Sequence, residues 1–494
     1  MSKPRIGIIG AGVAGLACSA RLAHRGYEVH VFEANEFPGG KINRIQLGPY
    51  QFDRGPSVLT GLNYLEEVFD FCGEPFEFPL VQTQNSFRYF FPDGIRLQLG
   101  TNPEDIAAEI AIKLGEDRRN VSRYLRKAES NYRHIAPLFI EKSLHRKRSL
   151  IGKKLIKALV RLPWYKLART MHTENQARFR NPKTVQVFDR FASYNGSHPY
   201  RAPAMLNMIS HLEMNEIPFL PAGGMIQVTN ALYELAKNKG VQFHFKERVR
   251  HILLDQDRCN GLETSKGNYS FDAVVSNMDV SYTYERLLDS KFAPHKVLDQ
   301  ELSSSAVVFY WGIRTKFDQL DLHNIFFGDS YQKEFDTIFA QQAVQNDPTI
   351  YVNVTSKYIT GDAPDGCDNW FVMINSPVDN GQDWEKEVAE TRTRILERLS
   401  NELGESIEDL IEVEQVLTPP MIDRIYAGKS GSIYGNASNS KYAAFYRHPN
   451  FSKNIQRLYF AGVSVHPGGG IPLALNSARL ACEFLENDLI SVTS

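Results

Sequence analysis

The chain has 494 residues, is 43% hydrophobic and 23% charged, and carries a formal net charge of -1. That length exceeds one ordinary core and implies two or three domains, while the near-neutral balance argues against a general nucleic-acid binder. Five cysteines (Cys18, Cys72, Cys259, Cys367, Cys482) show no CxxC or metal-type spacing, so no metal or disulfide framework is expected and a reducing compartment fits. No run of 18 apolar residues occurs, so no membrane-spanning helix is expected. The opening MSKPRIGIIGAG lacks the pattern of a secretory signal.

In chain order, Arg5–Ile9 reads as a short apolar strand and Ala14–Ala23 as a helix with Leu16, Ala20 and Ala23 on one face. Tyr27–Phe32 reads as a second strand, ending at Glu33. Between the first strand and the helix, Gly10, Gly12 and Gly15 form G-x-G-x-x-G. Gly10 permits the tight turn, Gly12 lets backbone N–H groups approach a pyrophosphate, and Gly15 lets helix and strand pack closely. The N-terminus of this helix offers partial positive charge to phosphates. Glu33, with Ala34 beside it, follows at the distance where an acid accepts hydrogen bonds from a ribose 2′-OH. A dinucleotide site is the reading of this stretch. Pro38-Gly39-Gly40-Lys41 and Phe52-Asp53-Arg54-Gly55-Pro56-Ser57 come next.

Further along, Lys142–Thr173 holds ten Lys or Arg and no Asp or Glu. Ile151, Leu155, Ala158, Leu159 and Leu162 share one face at helical spacing, with Lys153, Lys154, Lys157 and Arg161 opposite, then Pro163, Trp164 and Tyr165. This is the pattern of an interfacial membrane helix, and equally of a solvated surface helix. Val241–Val249 reads as strand, and Ser305–Ile313 and Thr349–Val354 read as strands forming one wall of an apolar tunnel. Leu458–Ala461 reads as a buried strand, Gly462 as the start of a turn, Pro467–Gly470 as a flexible loop, and Pro472 onward as a helix. Dinucleotide elements thus stand at both ends of the chain and must meet in space.

These stretches carry a resemblance. E-x5-GG-[RK]…D-x-G, here from Glu33 through Gly39, Gly40 and Lys41 to Gly55, resembles the N-terminal signature of the flavin amine-oxidase superfamily. LYFAG-x-S-x-HPGGGIP (458–472) is similar to the C-terminal signature of the bacterial phytoene-desaturase-type carotenoid desaturases. Phe219–Met225 (FLPAGGM), Ala273–Asp279 (AVVSNMD) and Pro348–Asn375, with Gly361-Asp362, resemble further segments of that group; residues 100–200 match no motif sharply.

The resemblance implies an α/β, Rossmann-like FAD domain of glutathione-reductase type, assembled from about 1–80, 222–290 and 416–494. A mixed α+β substrate domain, with an antiparallel sheet and a helical membrane-facing part near 140–172, would come from 81–221 and 291–415. FAD would contact Gly10, Gly12, Val13, Ala14, Gly15, Glu33, Ala34, Gly39, Gly40, Lys41, Gly55, Pro56, Ser57, Gly462, Val463, Gly470, Ile471 and Pro472. Val249 would either pack at the adenine or be an ordinary strand valine. The implied reaction removes two hydrogens from a carotenoid, with His466, Glu213 and Glu216 as candidate polar groups. The implied setting is a cytoplasmic protein docked peripherally on the membrane, taking a carotenoid and passing electrons to quinone or oxygen. A 3,4-desaturase of hydroxylated carotenoids falls within this group, as do isomerases and ketolases. The alternatives are an amine or protoporphyrinogen-type oxidase and a flavin-free binder of prenylated proteins like the Rab GDP-dissociation inhibitors.

Overall fold

A computed structural model describes residues 3–143, 145–146, 168–440 and 446–490. Most of the basic amphipathic stretch read in the sequence, including Ile151–Leu162, lies outside the described residues.

β1 (Arg5–Ile9) is the middle strand of a five-stranded sheet, and its last four residues are buried. The order across that sheet is Leu458–Phe460, Ala273–Ser276, β1, β2 (Glu28–Phe32) and Gln242–His244, and every pairing is parallel. Four stretches far apart in sequence therefore build one sheet. Such strands are covered on both faces and read as apolar runs rather than alternating ones. α1 (Val13–His24) crosses over from β1 to β2 and is buried along most of its length. Its Ala14, Gly15, Ala17, Cys18 and Ala20 are small, which lets it lie between the helices Ile226–Asn238 and Ile471–Ile490.

The stretch Val241–Val249 is not one strand. It pairs only over Gln242–His244, turns at Lys246 (φ 52°), and Val249 begins a separate antiparallel meander, Val249–Asp255, Arg258–Thr264 and Asn268–Ser270. Tertiary hydrogen bonds impose the break: Lys246 N–H donates to Asn35 O (2.9 Å) and Glu247 N–H to Glu33 O (3.0 Å). They tie this corner to the loop after β2.

The second large sheet has seven strands, in the order Ile411–Leu417, Ser305–Ile313, Asp368–Ser376, Ile350–Asn353, His323–Phe326, Phe87–Phe90 and Arg96–Leu99. It is antiparallel except where Phe87–Phe90 runs parallel to His323–Phe326. Ser305–Ile313 is buried throughout because both faces are covered. Val307, Phe309, Trp311 and Ile313 pack with Ile395, Leu396 and Leu399 of the helix Trp384–Leu403. Ala306, Val308 and Tyr310 face the other way, into a core shared with Phe87, Tyr351, Phe371 and Leu417. The hairpin Asn43–Leu47/Tyr50–Arg54 joins the two halves. Arg44 pairs with Asp362 (2.7 Å), and Asp53 accepts from Met225 N–H (2.8 Å).

Candidate active site

One cavity of about 470 Å³ runs from the edge of the parallel sheet to the inner face of the antiparallel one. Its first half is made of backbone. Gly10 (φ 92°) turns the chain out of β1, and α1 begins with no side-chain cap and no acid in its first turn. The Val13 and Ala14 N–H groups thus present an uncapped helix start to the cavity wall. A Cβ on Gly15 would stand 2.1 Å from Gly10 O, and one on Gly12 would stand 2.6 Å from Asn277 Oδ1. Gly39 N–H donates to Ala11 O (2.8 Å) and so lays the second glycine pair alongside the first loop. The Glu33 carboxylate accepts from Ala11 N–H (2.9 Å) and from the backbone and side-chain amides of Asn35 (2.9 Å each), which fixes it at the cavity edge.

Lys41 donates to Ile433 O (2.6 Å). Burial pushes its ammonium down to about 8, against the pull of Asp279. The Arg447 guanidinium holds Tyr434 O (3.1 Å), Val463 O (3.1 Å) and Asn436 O (2.7 Å), joining two walls of the cavity. Gly462 N–H is held by Ser477 Oγ (3.1 Å), and the helix Ile471–Ile490 starts here, again without an acid in its first turn. One uncapped helix start, a second with no acid in its first turn, glycines that leave no room for side chains, and a carboxylate at the far edge suit a dinucleotide with a long polar arm. FAD fits this cradle.

The second half is apolar. Ala306, Val308, Ile325, Phe371, Met373 and Leu417 project from the antiparallel sheet, opposed by Ile422, Ile425 and Tyr426. Few polar groups enter it. Ser57 Oγ and Tyr351 Oη bond each other (2.8 Å), and Tyr351 Oη reaches His323 Nδ1 (2.7 Å). Burial pushes His323 down to about 3, so this imidazole is neutral. Arg190 lies over Phe87 (4.7 Å) and Phe191 (4.8 Å), donates to Tyr89 Oη (2.8 Å) and pairs with Glu213, which also accepts from Tyr194.

Every cofactor contact expected from the sequence lines this cavity except Gly15, whose part is the close packing of α1 on the turn. Val249 lines it too. The three candidate catalytic groups do not. His466 is buried behind the glycine loop, its Nε2 on Lys142 O (2.9 Å), and burial pushes it down to about 3. Glu213 stands behind Arg190 and Tyr194 with both oxygens engaged. Glu216 is exposed and pairs with His211 (3.1 Å). Sequence reasoning missed Asn277, which backs Gly12 and Gly15 and donates to Ala461 O (2.8 Å), although its segment AVVSNMD was in view. It also missed Arg190, Tyr351 and Arg447, which no local pattern marks.

Residues 13–485 match the model of the flavin containing amine oxidoreductases, and the chain belongs to that family. It is 44% identical over 481 residues to a 1-hydroxycarotenoid 3,4-desaturase from a Flavobacterium species, covering 97% of this chain and 98% of that one. It is 31% identical to a 4,4'-diaponeurosporene oxygenase of Staphylococcus aureus, covering 96% of each. Among solved structures, a putrescine oxidase mutant superposes with a TM-score of 0.65 at 13% identity over 99% of both chains, a likeness of fold.

Proposed function

We propose that this chain is an FAD-dependent carotenoid desaturase acting near the hydroxylated end of an acyclic carotenoid. The observation that carries this reading is the continuity of the cavity: a dinucleotide cradle opens directly onto an apolar channel, not onto a polar or charged one. The identity to a 1-hydroxycarotenoid 3,4-desaturase over nearly the whole chain supports the substrate.

The reaction removes hydrogens from adjacent carbons. One leaves with its bonding electrons, the other as a proton, and the electrons of the second C–H bond become the new π bond. When bound, FAD supplies the two-electron hydride acceptor. The chain's own task is then positioning. Ala306, Val308, Met373 and Leu417 would hold the polyene in the apolar half of the cavity, next to the cradle, and keep water out. A cation beside a conjugated polyene is delocalised and its neighbouring C–H is acidic, so a weak acceptor suffices. That agrees with a channel whose polar groups are neutral, as in Ser57–Tyr351–His323, or ion-paired, as in Arg190–Glu213.

No described helix is long and apolar enough to cross a membrane. A carotenoid dissolves in the bilayer, and we propose that the basic stretch Lys142–Thr173 docks the enzyme on an anionic membrane face, each basic residue adding about 1 kcal/mol. Quinone or oxygen would take the electrons. The test is product mass. FAD-loaded protein is mixed with liposomes carrying 1-hydroxylated acyclic carotenoids, lycopene or phytoene, and products are separated with mass detection. Loss of two hydrogens is expected. Unchanged mass with altered retention would mean isomerisation, and no change with flavin bound would move the reading to another lipid or an amine.

A further inference from the structure

The polar side chains that reach the apolar half of the cavity differ in what they have left once their mutual hydrogen bonds are made. Arg190 and Tyr194 are engaged by Glu213, and Ser57 and Tyr351 by each other and His323. Asn375 is different. It lies on the cavity face of Asp368–Ser376 and stays partly exposed there, although its strand is interior. Its Nδ2 donates to Glu334 Oε1 (3.2 Å), and among the described residues nothing donates to its Oδ1. Thr349 lines the cavity beside it, one residue before the pair Ile350–Ile374. Thr349 donates through both N–H (3.1 Å) and Oγ1 (2.6 Å) to Glu334 Oε2. One buried carboxylate thus fastens two side chains and leaves Asn375 Oδ1 and Thr349 Oγ1 to accept from the channel, with the second Asn375 Nδ2–H engaged by nothing among the described residues. Burial pushes the Glu334 carboxyl up to about 7, a cost that a wall built only to hold hydrocarbon has no reason to carry.

We propose that Asn375 and Thr349, braced by Glu334, form a subsite for the hydroxyl of an isoprenoid alcohol, and that this subsite selects which end of the polyene is oxidised. The inference rests on the carotenoid reading. Acceptors beside one spare N–H suit a ligand that can donate its own proton and accept in return, as an alcohol does. The place in the fold is equally telling. Asn375 pairs with Ala306, Ser305 Oγ donates to Gly431 O (2.7 Å), Ile433 N–H donates to Ser304 O (3.3 Å), and Lys41 holds Ile433 O (2.6 Å). The subsite is therefore one strand from the loop that lines the cavity, through Gly428, Ile433 and Tyr434, beside Lys41. A hydroxyl held there keeps the carbons next to it, and not the middle of the chain, beside the reacting end.

The experiment compares kcat/KM of wild type, Asn375→Leu and Thr349→Val on a 1-hydroxylated acyclic carotenoid, its methyl ether and the unhydroxylated parent. Wild type should prefer the alcohol to both others by about tenfold or more, the worth of one hydrogen bond at a site built for it. Asn375→Leu should lose that preference while keeping turnover of the parent. Thr349→Val, nearly unchanged in volume, should lose about threefold on the alcohol alone. Equal losses on all three substrates would make Asn375 and Thr349 merely structural and overturn the subsite. Wild type that oxidises parent and alcohol equally well would also overturn it and leave the carotenoid reading standing. Wild type that oxidises none of the three, and shifts none of their polyene absorption bands on mixing, would overturn both.

Discussion

An added methyl group reads out how tightly the cofactor cradle is drawn. At Gly15 it would meet Gly10 O at 2.1 Å, a backbone atom that moves only if the turn unwinds. At Gly12 its obstacle is the Asn277 side-chain oxygen at 2.6 Å, which has some freedom to yield. At Gly100, outside the cradle, it would touch only the Asp105 side chain, at 3.4 Å. Gly15→Ala should therefore be purified colourless, with FAD affinity down by about 100-fold or more, because the turn aims the N–H groups at the pyrophosphate. Gly12→Ala should fall between, and Gly100→Ala should bind like wild type. Flavin absorbance and FAD titration of the apoprotein measure the series. Equal affinity for all three variants would remove the cradle argument.

Between elements, Glu213 is the pin. It sits in the short helix Ser210–Met214 and holds Arg190 and Tyr194 of the 3-10 segment Arg190–Asn195 together with Tyr89 of the strand Phe87–Phe90. Glu213→Ala leaves the Arg190 charge unpaired in an aromatic box and should cost about 3–5 kcal/mol. Glu213→Gln keeps the side chain's shape and one acceptor oxygen for Arg190, should cost less, and should retain turnover, because Glu213 positions Arg190 and does not face the channel. Denaturant unfolding and steady-state rates check this together; a stable Glu213→Gln without activity would return Glu213 to the chemistry.

This network also shows what the sequence holds legibly. The glycine motifs can be read because a steric demand on one backbone position is met by one residue type. So can the buried strands, whose unbroken apolar run in Ser305–Ile313 marks a strand covered on both faces. His466 stands inside a readable motif, yet its ring turns to Lys142 O, and no periodicity governs side-chain direction in a loop. The break at Lys246 and the Arg190–Glu213 and Glu334–Asn375 pairings depend on contacts between segments that only the finished fold brings together.

For the whole molecule, the buried titratable groups pull stability in opposite directions with pH. Burial holds His323, His448 and His466 near 3. Each is neutral in the fold but takes up a proton near 6.5 once unfolded, so its contribution is present above 6.5 and is lost as pH falls toward 3. Between pH 7 and 5 that is about 2 kcal/mol per histidine. Burial raises Glu334 to about 7 and Asp53 to about 6. Their contributions are complete below the unfolded values near 4 and are lost as pH rises through the folded ones. Lowering the pH from 7 to 5 therefore returns about 2 kcal/mol at Glu334 and about 1 at Asp53. Among these five groups the histidines win by about 2–3 kcal/mol, a sizeable part of the 5–15 that a typical domain has. Burial also lowers His198 and His244 on their side and raises Asp189, Asp279 and Asp362 on the other. Urea unfolding should show the protein that much less stable at pH 5 than at pH 7. Glu334→Gln removes one opposing group, so its loss over the same interval should steepen to about 4–5 kcal/mol. A wild-type stability that is flat or higher at pH 5 would mean that the three imidazoles find water or a proton in the folded protein, and the dry packing behind the glycine loop and the channel would have to be redrawn.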